Sequence, residues 1–204
     1  KLSEKTNVQG FKKIVEKYLN PNTKIIFFSS TCVFSGDKKK PSEKTITKPV
    51  NLYGKQKKKC EEIVLKNKGL VIRTVKISES LIGFLKNWKN KIKERKKIYP
   101  FLKANMSLIS ISNLEDTLIY CLKKNISGIV QLSGIDQIGY LEIANTLCKI
   151  KKLPEKYVRP VNIPKKFKIN FTKYSTLKNS LFIAKATKIN RANLAIKKII
   201  KNYV

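Results

Sequence analysis

Two short apolar runs constrain this chain more than any other feature: Lys24-Ile25-Ile26-Phe27-Phe28 and Leu70-Val71-Ile72-Arg73. Both are almost continuously β-branched, aliphatic or aromatic, the pattern of strands that a parallel sheet buries on both faces. Between and around them the periodicity changes to that of helices. Phe11, Ile14, Val15, Tyr18 and Leu19 recur at helical spacing ahead of Pro21, predicting a helix over 4–19. A second helix covers 52–67 and stops before Gly69. This β-loop-α-β order predicts an α/β fold with a doubly wound parallel sheet.

The remaining elements continue the alternation. Residues 78–95 read as a lysine-rich helix with Leu81, Ile82, Leu85 and Trp88 inward, and 106–111 as a strand. Asn113 is the expected cap of a helix running to about Lys124. Gly128–Leu132 reads as another strand and Tyr140–Ile150 as another helix. Residues 151–190, rich in Pro and Lys with weak periodicity, are expected to be irregular. A closing helix spans Arg191–Tyr203 and carries Leu194, Ile196, Ile199 and Ile200.

A chain of 204 residues with 42% hydrophobic content can bury a real core. Its formal net charge of +32 raises nucleic acid as a partner. Against that, only Arg73, Arg95, Arg159 and Arg191 among 45 basic residues are arginine, the residue that reads bases and phosphates with a bidentate fork. Lys, Ile and Asn are abundant together, so A- and T-rich codons explain the charge better than a nucleic-acid role does. A cationic surface still favours anionic ligands such as nucleotide diphosphates.

The chain has no His, and Cys32, Cys60, Cys121 and Cys148 are widely spaced, which argues against a zinc site and against histidine catalysis. Isolated thiols read as small buried hydrophobes of a reducing compartment. No apolar run approaches the roughly 18 residues of a membrane span, and no signal peptide is visible, so a cytoplasmic protein without membrane contact is expected.

The chemistry concentrates in Ser29-Ser30-Thr31-Cys32-Val33-Phe34-Ser35-Gly36 and, after a polar loop, Pro49-Val50-Asn51-Leu52-Tyr53-Gly54-Lys55-Gln56-Lys57. A hydroxyl cluster ends a strand, and a Tyr/Lys pair lies on the returning helix. Reducing a carbonyl requires an acid within reach of its oxygen. A phenol with a pKa near 10 becomes a better partner beside a cation, and a lysine four residues on shares its helix face. The bare Tyr-x-x-x-Lys spacing carries little weight, since Tyr53, Tyr99, Tyr120 and Tyr174 all have it. Only Tyr53 follows a strand ending in hydroxyl residues.

With Glu43 in the loop, this stretch resembles the extended short-chain dehydrogenase/reductases, and within them the dTDP-4-dehydrorhamnose reductase branch of sugar-nucleotide enzymes. The resemblance implies an NAD(P)-dependent reductase or epimerase acting on a nucleotide-linked 4-keto sugar. It places acid/base catalysis on Tyr53, electrostatic and ribose-binding roles on Lys57, and carbonyl polarisation on Ser30. Ser29, Tyr53, Lys57 and Arg73 are the candidate cofactor contacts, Arg73 being equally a candidate for a structural ion pair. Thr31 and Cys32 replace the Asp-Glu pair of the related dehydratases, which disfavours dehydration. Segments 111–116 and 128–134 resemble those that border the family's sugar-nucleotide pocket, although an ordinary capped helix and strand-turn explain them as well.

In that family an Asn-x-x-Gly helix like Asn7-Val8-Gln9-Gly10 precedes the Ser-Ser strand, and a glycine-rich phosphate-binding half lies upstream. None of the eight glycines here forms such a turn. The expectation is therefore a chain lacking roughly 70 to 80 residues of N-terminal βαβ structure and inactive without it. Residues 1–77 would be the C-terminal half of a Rossmann-like NAD(P)-binding domain. Residues 78–204 would be a small substrate-binding part interleaved with the last sheet strands. A homodimer, or the missing segment, is the expected protein partner. The competing expectations are a non-catalytic relative, such as the regulatory subunits of methionine adenosyltransferase, and a basic nucleic-acid-binding module.

Overall fold

The computed structural model describes residues 2–165, 171 and 173–204. The N-terminal helical segment runs through α1 (Leu2–Glu4), a π-helical stretch (Lys5–Gly10) and α2 (Phe11–Tyr18). Strand β1 (Ile26–Ser30) follows, then a short 3-10 turn (Thr31–Val33), a long loop and α3 (Leu52–Lys66). Next come β2 (Leu70–Thr74), β3 (Lys76–Ile77) and α4 (Ile82–Lys93). The chain continues with β4 (Asn105–Met106), β5 (Leu108–Ile109), α5 (Ile111–Lys123), β6 (Gly128–Leu132), β7 (Ile138–Gly139) and α6 (Tyr140–Lys151). It ends with α7 (Leu181–Ala186) and α8 (Ala192–Tyr203).

The central sheet is parallel in the order β1-β2-β6, as the two apolar runs require. Its register pairs Ser29 with Arg73, Ser30 with Thr74, and Leu70 with Gly128. Alternation sorts the side chains of β2 between two faces. Leu70 and Ile72 pack with Val130, Leu132, Cys121 of α5 and Ile183 of α7. Arg73, on the opposite face, meets α3. Helices thus cover both faces of the sheet, the doubly wound α/β arrangement that the alternation of elements predicts.

A second and larger core joins α4, α6 and α8 through Leu85, Ile92, Ile143, Leu147, Ile196 and Ile200, all fully enclosed. Burying each such side chain contributes about 1.5–3 kcal/mol relative to exposure. Two small pairings, β3 with β5 in parallel and β4 with β7 antiparallel, connect this part to the sheet. Among the described residues no helix is long and apolar enough to cross a membrane.

Three local expectations change. Helix α5 begins at Ile111 with Ser110 as N-cap. Asn113 is its third residue and completes a capping box by bonding back to the Ser110 N–H, so the cap lies three residues earlier than predicted. The strand expected over 106–111 is two short ones, β4 and β5, which pair with different partners. Within 151–190, residues 166–170 and 172 lie outside the described residues, and Leu181–Ala186 is helical instead of irregular.

Helix α3, which carries Tyr53 and Lys57, is started by Asn51, whose side-chain oxygen accepts from the Gly54 N–H at 2.8 Å. Asn51→Ala removes that cap. The expected cost is about 1 kcal/mol, read as a lower denaturant midpoint with an unchanged slope.

Candidate functional site

The site forms where β1 and β2 end and α3 begins. Ser30 closes β1 and caps the 3-10 turn, its Oγ accepting from the Cys32 N–H at 3.2 Å. That turn runs directly against the start of α3 because residue 54 is glycine. A Cβ on Gly54 would stand 2.0 Å from the Cys32 carbonyl oxygen, inside any allowed contact. The resulting close approach places the Tyr53 phenol and the Ser30 hydroxyl together on the lining of one cavity.

One helical turn on, Lys57 donates from Nζ to the Phe28 carbonyl at 2.8 Å. Its ammonium lies 4.5 Å from the Phe27 ring centroid and 5.6 Å from that of Tyr53, distances at which a cation is attracted to a ring face. Ser30, Tyr53 and Lys57, which the sequence singles out, are thus gathered at one sheet edge. Tyr53 borders two cavities. A cavity of about 370 Å³ lies on the Ser30 side, lined also by Cys32, Asn51, Thr74, Lys76, Asn105, Ser107, Tyr140 and Ser175. A smaller one of about 180 Å³ lies on the Lys57 side, with Asn7, Phe27, Gln56 and Cys60.

The protonation of the pair differs from the simplest expectation. A lysine one turn away is expected to pull the tyrosine pKa down, yet the Tyr53 pKa is raised. Burial is the main cause, Cys32 adds to it, and the Ser30 hydroxyl opposes it. Lys57 is lowered, again chiefly by burial, with Cys60 and Glu61 opposing. At neutral pH the phenol therefore keeps its proton, the form a proton donor needs.

Two other candidates are placed differently. Arg73 is almost fully buried and donates to Glu61 of α3 from Nε at 2.9 Å and from Nη2 at 2.7 Å. Its guanidinium also lies 5.2 Å from the Phe34 ring centroid. Of the two readings of Arg73, the structure shows the ion pair, and the residue lines neither cavity. Ser29 borders the larger cavity, but its hydroxyl is given to the same Glu61 carboxylate. Glu43 accepts from the Ser180 hydroxyl, tying the long loop to the C-terminal region.

The opposite wall of the larger cavity escaped sequence reasoning. Asn105, Met106 and Ser107 come from β4 and its end, Tyr140 from the start of α6, and Ser175 from the C-terminal region. Segments 111–116 and 128–134, for which an ordinary capped helix and strand-turn are an equal reading, are not among its lining residues. Tyr140 sits edge-on to Phe84, Phe101 and Phe171, and Ser107 N–H donates to Ser175 Oγ at 2.8 Å, so this wall is itself fixed. Among the described residues no cluster of metal-binding side chains occurs.

The family model of the RmlD substrate binding domain matches residues 1–204. The chain belongs to this family. Membership agrees with the resemblance to dTDP-4-dehydrorhamnose reductases carried by Ser29 through Lys57. None of the curated proteins matches the chain. Solved structures share the family's fold. The dTDP-4-dehydrorhamnose reductase of Bacillus anthracis in complex with NADP superposes with a TM-score of 0.76 at 19% identity, over 97% of this chain and 70% of that one. A hypothetical dTDP-4-dehydrorhamnose reductase from Sulfolobus tokodaii gives 0.72 at 26% identity, over 92% and 67%. The Bordetella bronchiseptica enzyme WbmG, in complex with NAD and UDP, gives 0.78 at 15% identity, over 98% and 66%.

Proposed function

We propose that the protein reduces the keto group of a nucleotide-linked 4-keto sugar with NAD(P)H, with Tyr53 as the proton donor. The observation that carries this reading is the meeting of Ser30 and Tyr53 on the lining of one cavity, with Tyr53 and Lys57 lining a second. Relatives crystallised with NADP, or with NAD and UDP, support the cofactor and substrate classes.

The residues present fit the nicotinamide-ribose half of a dinucleotide. Lys57 uses one N–H on the Phe28 carbonyl and keeps two for ribose hydroxyls, and Tyr53 borders the same cavity. When bound, NAD(P)H supplies the hydride that reaches the carbonyl carbon. The Ser30 hydroxyl donates to the sugar's carbonyl oxygen, and Tyr53 transfers its proton there as negative charge develops. The Lys57 ammonium then stabilises the phenolate that remains.

The larger cavity, about 370 Å³, is of the size that small ligands occupy. Lys76, the one charged side chain lining it among the described residues, would meet a diphosphate. Residues 1–77 supply the reacting groups, and 78–204 supply the facing wall through Asn105, Ser107, Tyr140 and Ser175. The test is oxidation of NAD(P)H by the full-length protein with a nucleotide-linked 4-keto sugar and with the same sugar unlinked. Turnover of the linked substrate alone supports the reading, and no turnover of either overturns it.

The pKa directions add a pH expectation. Reduction needs Tyr53 protonated and Lys57 charged. Tyr53 is raised and Lys57 lowered, so the tyrosine's proton loss moves to higher pH and the lysine's to lower pH. The rate, measured as kcat/KM, is expected to be level through neutral pH and to fall on an alkaline limb set by Lys57. In Lys57→Arg, which stays charged, that limb moves to higher pH. An unmoved limb assigns it to another group.

A further inference from the structure

Glu61 lies eight residues after Tyr53 and four after Lys57, on the same face of α3. Its side chain is 3% exposed, yet no catalytic step described above employs it. The carboxylate gathers three donors from two strands: the Ser29 hydroxyl of β1, and Nε and Nη2 of Arg73 of β2. Ser29 and Arg73 are also paired neighbours in the parallel ladder. Each adjoins a residue lining the larger cavity, Ser30 after Ser29 and Thr74 after Arg73.

A buried ion pair of this kind is weak grounds for stability, because well-packed apolar side chains of similar volume often replace one at no loss. What an apolar cluster lacks is direction. Three charge-assisted hydrogen bonds fix one point of α3 against two adjacent strands, and that fixes the helix both along its axis and about it. Reacting groups misplaced by about 1 Å can lose a hundredfold in rate. We infer that Glu61, acting through Ser29 and Arg73, is a positioning residue that sets Tyr53 of α3 against Ser30 of β1. This inference rests on the reading of Tyr53 as proton donor.

Ser29→Ala is the mildest test, since it removes one donor and leaves the Glu61–Arg73 pair intact. In the full-length protein it lowers kcat about tenfold while both KM values stay within about threefold, and Ser29→Thr restores the rate. The melting temperature and UDP affinity remain near those of the parent. The double replacement Glu61→Leu with Arg73→Met leaves no lone buried charge, and is expected to fold and to lose kcat by tenfold to a hundredfold. Unchanged kcat in both variants makes the network purely structural and overturns the inference. So does an effect of Ser29→Ala confined to the KM for NAD(P)H, which would return Ser29 to direct cofactor contact. Tyr53→Phe is run alongside: if it keeps full activity, the reading of Tyr53 has failed, and these outcomes separate that failure from a failure of the Glu61 inference.

Discussion

Tyr53→Phe is expected to lower kcat for reduction by about a thousandfold, within the range of roughly 10² to 10⁴ that a positioned general acid contributes. The substitution removes one oxygen and leaves the ring, so packing against Lys57 is kept. Binding of the nucleotide sugar should change little, because its nucleotide portion has Lys76 and the far wall of the cavity to meet. The loss therefore falls on kcat and not on affinity, and steady-state rates with a parallel titration of UDP separate the two. Ser30→Ala should show a smaller loss of the same form. A Tyr53→Phe variant with kcat within tenfold of the parent would remove Tyr53 from the chemistry.

Gly54→Ala is expected to damage both stability and rate. The added Cβ meets the Cys32 carbonyl oxygen at 2.0 Å and the carbonyl carbon at 2.8 Å, and both atoms belong to the backbone of the turn that Ser30 caps. Neither can swing aside as a side-chain tip would. The start of α3 must move away from the turn, at a cost of about 1–3 kcal/mol for overpacking. The same shift parts Tyr53 from Ser30, and a displacement near 1 Å is worth about a hundredfold in rate. Denaturant unfolding and kcat measured on one preparation test both effects. Parent-like stability would mean that the close approach is relieved more easily than its backbone contacts imply.

Much of the sheet was legible because Leu70, Val71 and Ile72 form a run with no polar interruption, and all three are fully enclosed. The hydroxyl cluster expected at the end of the first strand is there, since the backbone pairing to Arg73 and Thr74 carries β1 through Ser29 and Ser30. At α5, Ser110 and Asn113 are both competent caps. Local pattern could not rank them, since in a capping box each bonds to the other's backbone.

Within the site, Ser30, Tyr53 and Lys57 were readable because one strand end and one helix turn hold them close in sequence. For Arg73 the sequence leaves a cofactor contact and an ion pair equally open, because its partner Glu61 lies twelve residues earlier and on another element. The facing wall is harder still, because Asn105, Tyr140 and Ser175 converge only through the tertiary fold. The proton affinity of Tyr53 also needed the structure. Sequence supplies the lysine that would lower it, whereas enclosure by the turn and α3 raises it.

The central claim is that this site joins a hydride and a proton to a keto sugar, the proton coming from Tyr53. Incubating the full-length protein with a nucleotide-linked 4-keto sugar and NAD(P)H deuterated at the transferring carbon tests it most directly. The account predicts deuterium on the former carbonyl carbon of the product, one cofactor oxidised per product formed, and loss of both in Tyr53→Phe. Substrate binding without cofactor oxidation, or equal labelling by the parent and Tyr53→Phe, would contradict it.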